Sequence, residues 1–250
     1  GVAPFTVMCC DNLPHNGGVT KDAVTGVARL SDPALADWIA GNVAFPNAMV
    51  DRITPATGPR ELAMARAMGL DDAAPVTCEP FRQWVMEDSF PAGRPPLEKA
   101  GVTFTGAVDR FETMKIRILN GGHAIIAYPA GLAGIDLVHQ AMADSRIRAF
   151  LDAVLTREVL PIVPPVPGVR LPDYRAQILD RFANPEIADT VRRLALDGSN
   201  RQPKFIVPSV RDNLAAGRVP AGLVLLSALW CRYCHGQTEA GAEIAPNDPN

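Results

Sequence analysis

The stretch "ETMKIRILNGGH" (residues 112–123) decides how this chain is read. Met114, Ile116, Ile118 and Leu119 give it the character of a buried helix, yet it also carries Glu112, Lys115, Asn120 and His123. With Lys115 at zero on a wheel turning about 100° per residue, Glu112 falls at about 60°, His123 at about 80° and Asn120 at about 140°. The four polar groups share one side of the helix, an arrangement that suits a one-sided pocket.

The residue types point to proton chemistry. A lysine packed among apolar neighbours loses hydration, which favours the neutral amine and equips it as a general base. An asparagine amide can donate to a developing alkoxide. A histidine one turn further on can hydrogen-bond a substrate hydroxyl. The plainer reading has the lysine snorkelling to water and the histidine satisfied in a core, and periodicity alone leaves both open. No serine stands in a strand–turn–helix elbow. "NGGV" (16–19) and "NGGH" (120–123) lack the spacing of a phosphate-binding glycine turn.

Outward from this stretch, residues 109–139 carry the strongest helical pattern, with interruptions expected at Gly121–Gly122, Pro129, Gly131 and Gly134. A helix is expected over 31–43 behind Ser31 as N-cap, a short one at "RELAMARAMGL" (60–70) and another from Asp144 to Leu160. Two more flank a break at Asn184–Pro185, and further helices are expected at 209–215 and 222–233. Residues 44–59, punctuated by proline and glycine, read as a loop. "CEPFRQWVME" (78–87) and "GVTFTGAVDRFE" (101–112) each suit a short strand. "FTVMCC" (5–10) reads as a buried strand running into the polar turn "CDNLPHNGG" (10–18). Such a strand needs neighbours on both sides, and the next hundred residues offer no matching set. The chain therefore reads as part of a larger protein.

Composition excludes several classes. The 250 residues are 48% hydrophobic and 20% charged, with a net charge of −3. This is a globular composition, without a basic patch for nucleic acid or a charge run for a membrane surface. The longest apolar run, "AGLVLLSALWC" (221–231), is too short to span a bilayer. No signal-peptide pattern is present, and the five cysteines show no disulfide framework, so a cytoplasmic protein with reduced thiols is expected. "CRYCH" (231–235) matches a haem-attachment spacing and could offer zinc ligands. Lacking an export signal and further paired ligands, it is read as structural thiols.

Taken together, "FTVMCCDNLPHNG", "AFPNAMVDRITP", "KIRILNGGH" followed by "LAGIDLVHQAM", "RFANPEIADTVRRLALDGSNRQPKF" and "ALWCRYCHG" resemble the polyol-specific long-chain dehydrogenases of the mannitol dehydrogenase family. They lie in family order along nearly the whole chain. The resemblance implies a mainly α fold: a helical C-terminal substrate domain (17–250, stopping short of the family's C-terminal end) preceded by the last strand and turn (1–16) of an otherwise absent α/β Rossmann domain. It implies metal-independent, NAD- or NADP-dependent interconversion of a mannitol-like polyol and a fructose-like ketose, NAD being favoured. Lys115 would be the base, Asn12 and Asn120 the oxyanion-hole donors, His123 the substrate-orienting group and Glu112 an aid to proton exchange. Val50 and Asp51 resemble residues near the nicotinamide end of the pocket, and Arg193 and Arg201 resemble contacts to substrate hydroxyls. Arg201 departs from the lysine expected in many members, which changes donor geometry. The residues holding most of the cofactor would lie outside these 250, so the chain alone is expected to be inactive. A monomer or small homo-oligomer is expected, with no nucleic acid or membrane partner. Two rivals remain: a fructuronate/mannonate oxidoreductase of the same family, its carboxylate met by Arg193, Arg201 or Lys204, and a non-catalytic helical interaction module.

Overall fold

A computed structural model describes residues 3–248. The chain divides by its own contacts into two compact units. The first takes in the described residues up to Thr54 together with Cys78–Glu112; the second comprises Pro55–Thr77 and the described residues from Thr113 onward.

In the first unit, helices Asn16–Ser31 and Pro33–Asn42 pack on each other. The second helix is capped by Asp32, whose carboxylate accepts from the N–H groups of Ala34 and Leu35, with Pro33 in the first turn. The cap is thus Asp32, one residue after the expected Ser31. A three-stranded sheet follows, β1 (Ala48–Asp51), β2 (Gln83–Met86) and β3 (Val102–Phe104), in the order β1-β2-β3. β1 pairs antiparallel to β2, placing Val50 opposite Trp84 and Asp51 opposite Gln83, and β2 pairs parallel to β3. Ala48, Met86 and Val102 form its buried centre, with Met8, Trp84, Phe90, Leu97 and Phe104 packed around them.

The expected single Rossmann strand is not found. Residues 4–10 form no strand; Val7 N–H donates to the Ala44 carbonyl at 3.0 Å, and Phe5 is 77% exposed. A strand is held by a ladder, and this segment has none among the described residues. The sheet is instead built from three short later segments. One of them, β1, lies inside the stretch read as a loop, where four residues between Pro46 and Pro55 give too little pattern to detect.

The second unit is helical. Helix Val108–Met114, within which the division of units falls, is followed directly by a π-helical stretch, Lys115–Asn120, and by helix Gly121–Leu132. The expected breaks at Gly121–Gly122, Pro129 and Gly131 do not occur; the helix ends before Gly134, whose φ is 71°. Gly121–Leu132 is buried on nearly all sides, as its apolar circumference requires. Helices Val138–Ala143, Ser145–Val154, Val191–Ala195 and Ala221–Tyr233 pack around it. Two further π-helical stretches, Leu155–Val159 and Gln202–Ile206, pack against Lys115–Asn120. Among the described residues no helix is long and apolar enough to cross a membrane.

Candidate active site

Lys115 opens the π-helical stretch and is only 6% exposed. Here the backbone closes over five residues instead of four: Gly121 N–H donates to the Ile116 carbonyl. The wider turn brings Asn120, five residues after Lys115, round toward the lysine's own side of the helix. Asn120 is half-buried.

His123 stands at the start of the following α-helix, its ring stacked on Phe182 with centroids 4.5 Å apart and planes 30° from parallel. Its Nε2 is sealed from solvent and has no hydrogen-bond partner among the described residues. Burial pushes its pKa well below the ordinary histidine value, and the charges of Arg193, Arg201 and Arg181 push it the same way. The imidazole is therefore neutral at neutral pH.

The cations beside it are held differently. Arg193 donates through Nε to Asp189 Oδ1 at 2.6 Å and through Nη2 to Asp189 Oδ2, and the carboxylate strengthens its hold on its proton. Arg201 donates through Nη1 to the Leu194 carbonyl at 2.8 Å; burial weakens the guanidinium's charged form. Lys204 is exposed.

In the first unit, Asn12 sits exposed in the turn before helix Asn16–Ser31. That turn closes through His15, in the left-handed region at φ 52°, whose N–H donates to the Glu112 carboxylate at 3.2 and 3.4 Å. Burial raises the Glu112 pKa, and the His15 bond only partly opposes it. Val50 and Asp51 end β1, with Asp51 4% exposed. Glu112 and the Asn12 turn are thus tied together through the His15 N–H, while the arginines act on His123 through their charge. Sequence reading missed Arg181 and Phe182 beside His123; no spacing links them to it, since they come from a separate helix, Leu171–Phe182. It also missed Asn16, fully buried behind the Asn12 turn. The only hint there was an amide beside a glycine at the head of a helix. Among the described residues no group of three or more metal-ligating side chains converges, and Cys231 and Cys234 are exposed.

Comparison with known proteins places the whole chain. The profile described as the mannitol dehydrogenase Rossmann domain matches residues 1–99, and that of the mannitol dehydrogenase C-terminal domain matches residues 107–250. The Rossmann share is therefore not one residual strand, as the sequence had suggested, but extends to residue 99. A mannitol 2-dehydrogenase of Cereibacter sphaeroides is 68% identical over all 250 residues, which cover 52% of its length. One of Phaeosphaeria nodorum is 42% identical, with 100% of this chain and 44% of that protein covered. The Pseudomonas fluorescens mannitol 2-dehydrogenase in ternary complex with NAD and D-mannitol superposes with a TM-score of 0.86 at 46% identity, over 99% of this chain and 50% of that one. A substrate-free D-sorbitol dehydrogenase superposes with a TM-score of 0.92 at 40% identity, over 98% and 51% respectively. The chain thus spans about half the length of the curated relatives it matches.

Proposed function

The chain belongs to the mannitol dehydrogenase family, and we propose that it carries the substrate chemistry of an NAD-dependent oxidation of a mannitol-like polyol to a fructose-like ketose, and of the reverse. The observation that carries this reading is Lys115, nearly fully buried on a π-helical turn, followed by Asn120 and the neutral His123. π-Helical turns are rare and occur frequently at functional sites.

The donor set fits the reacting end of such a reaction. A buried amine, amide donors and a neutral imidazole suit a hydroxyl that must lose its proton, whereas no glycine-rich phosphate turn is present to hold a dinucleotide. Val50 and Asp51, at the end of β1, are the residues proposed to meet a nicotinamide ring. When bound, the nicotinamide supplies the two-electron acceptor.

The chain's own residues do the rest. Neutral Lys115 takes the proton of the C2 hydroxyl, and Asn12 and Asn120 donate to the oxygen as its charge grows. His123 orients the hydroxyl through its neutral imidazole. Arg201, and Arg193 as set by Asp189, hold the remaining hydroxyls. Glu112, its carboxyl raised by burial, returns the lysine's proton to solvent. In the reverse direction the Lys115 ammonium gives its proton to the forming hydroxyl.

The test is turnover of the full-length enzyme, wild type and Lys115→Ala, with NAD or NADP against a panel of polyols and mannonate. Mannitol oxidation with NAD is expected, and loss of the base is expected to cost about 10²–10⁴-fold with cofactor affinity little changed. A variant keeping more than about a tenth of the rate would remove Lys115 from the role. A faster reaction with mannonate would move the proposal to the hexuronate class.

A further inference from the structure

We propose that Asn16 is a positioning residue for the reaction: its buried carboxamide fixes the turn that carries Asn12 against strand β1. The inference rests on the role given above to Asn12 as a donor to the reacting oxygen.

Asn16 is 0% exposed, and both of its amide N–H donors and its oxygen are engaged. Nδ2 donates to the carbonyls of Cys9 at 3.2 Å and Asp11 at 3.0 Å, and Oδ1 accepts from Ala48 N–H at 2.8 Å. The three contacts fix the orientation of the amide, because a flipped group would set its oxygen against two carbonyl oxygens. The two carbonyls bracket the peptide that leads into Asn12, and Ala48 begins the strand that ends in Val50 and Asp51. One side chain therefore joins two backbone segments to which substrate-side roles are assigned.

The surroundings make this join necessary. Residues 3–11 belong to no strand, so no ladder fixes the approach to Asn12. The neighbouring contacts hold the same place from other sides. A Cβ on Gly17 would lie 2.4 Å from the Phe45 carbonyl oxygen and 2.6 Å from that of Pro46, so the head of the helix presses directly on the segment entering β1. That segment is fixed in turn: the Asn47 N–H donates to Glu87 Oε2 at 2.8 Å and Asn47 Nδ2 to Glu87 Oε1 at 3.1 Å. The His15 N–H, one residue before Asn16, is held by Glu112. A buried amide that left its partners unpaired would be costly, and here both donors go to the turn and the oxygen to β1.

The test uses the full-length enzyme with Asn16→Ala, Asn16→Asp, Asn12→Ala and the Asn12→Ala/Asn16→Ala double variant, following kcat, KM for polyol and cofactor, and thermal midpoint. Asn16→Asp keeps the shape and the acceptor for Ala48 but replaces both donors to the turn with an anion. Both single Asn16 variants are expected to lower kcat by about tenfold to a hundredfold, at or below the roughly 10²–10³ of a lost oxyanion donor, with cofactor KM within about twofold. In the Asn12→Ala background the further loss from Asn16→Ala should be under about twofold, because the donor it places is already gone. A role in stability alone gives additive losses, and additivity overturns the proposal. Full kcat in Asn16→Asp also overturns it, as does failure of both Asn16 variants to fold, which would assign the amide to the core. Unchanged turnover in Asn12→Ala would instead sink the role of Asn12 itself, a distinguishable result.

Discussion

At the scale of single residues, the candidate site sets buried polar groups, Lys115 and the Nε2 of His123, beside more exposed ones such as Asn12. His123 shows the consequence most directly. Its Nε2 is sealed, Phe182 covers its ring, and three arginines oppose a positive charge on it. A histidine whose folded pKa is depressed contributes stability that is present above its unfolded value, near 6.5, and is lost as pH falls through the folded value. Between pH 7 and pH 5.5 the wild type is therefore expected to lose stability, relative to a His123→Phe variant that keeps the stacked ring, by about 1 kcal/mol or less. Urea unfolding of both proteins across that range measures it, and parallel curves would count against a buried neutral imidazole. His123, Lys115 and Asn120 stand out in the sequence as site candidates because polar side chains interrupt an apolar helix. Asn16 was not, because nothing in its local pattern distinguishes a buried amide from an exposed one; its partners lie at Cys9, Asp11 and, 32 residues on, Ala48. Arg181 was hidden for the same reason, since its nearness to His123 depends on helix packing.

At the scale of elements, the π-helical stretch Lys115–Asn120 is the feature that periodicity misreads. A regular wheel sets Asn120 about 140° from Lys115, whereas closure over five residues brings them toward one side. Removing one residue inside the stretch, Ile116, is expected to let the chain wind as a regular α-helix. Lys115 and Asn120 would then stand four residues apart, about 40° on a regular wheel, so the two keep one side of the helix. Helical circular dichroism should stay near wild type, and turnover of the full-length enzyme should stay well above the level of Lys115→Ala. Turnover as low as that of Lys115→Ala would show that the wide turn itself, beyond the register it sets, is needed at the site. The glycines were misread in a related way. A Cβ on Gly122 would stand 3.1 Å from the Phe182 ring and one on Gly131 2.6 Å from the Tyr233 ring, so these glycines admit neighbouring side chains and do not end the helix. The breaking tendency of glycine is local, about 1 kcal/mol against alanine, and tertiary packing overrides it. Two short strands, β2 and β3, were legible from their apolar residues; β1 was hidden among prolines, and the pattern at 4–10 described an apolar segment that the structure leaves without a ladder.

At the scale of the whole molecule, the chain matches both family domains yet spans about half the length of its curated relatives. Its surface shows large apolar side chains that a solitary globular protein rarely gathers. In the first unit Phe5 is 77% exposed, Val27 70% and Leu30 89%, with Leu35 at 45% and Trp38 at 47% on the adjoining helix. Val27 and Leu30 lie three residues apart on helix Asn16–Ser31 and so share a face. Large apolar side chains exposed side by side on a helix face mark an interaction site or an association hazard. The 250-residue polypeptide expressed alone is therefore expected to bind a hydrophobic dye such as ANS and to associate as its concentration rises. Val27→Ser with Leu30→Gln should weaken both effects without lowering the thermal midpoint, because exposed positions contribute little to the core. The same polypeptide should show no saturable NADH binding by fluorescence and no mannitol oxidation, since it has no glycine-rich turn for the dinucleotide phosphates. Hydride transfer requires the cofactor to be held beside the substrate carbon, and the rate advantage of that placement vanishes when the cofactor is free in solution. Sedimentation, dye binding and a cofactor titration on the one sample decide the matter. A monomer that ignores the dye and turns over mannitol at the full-length rate would show that both the exposed helix face and the location of the cofactor site had been misjudged.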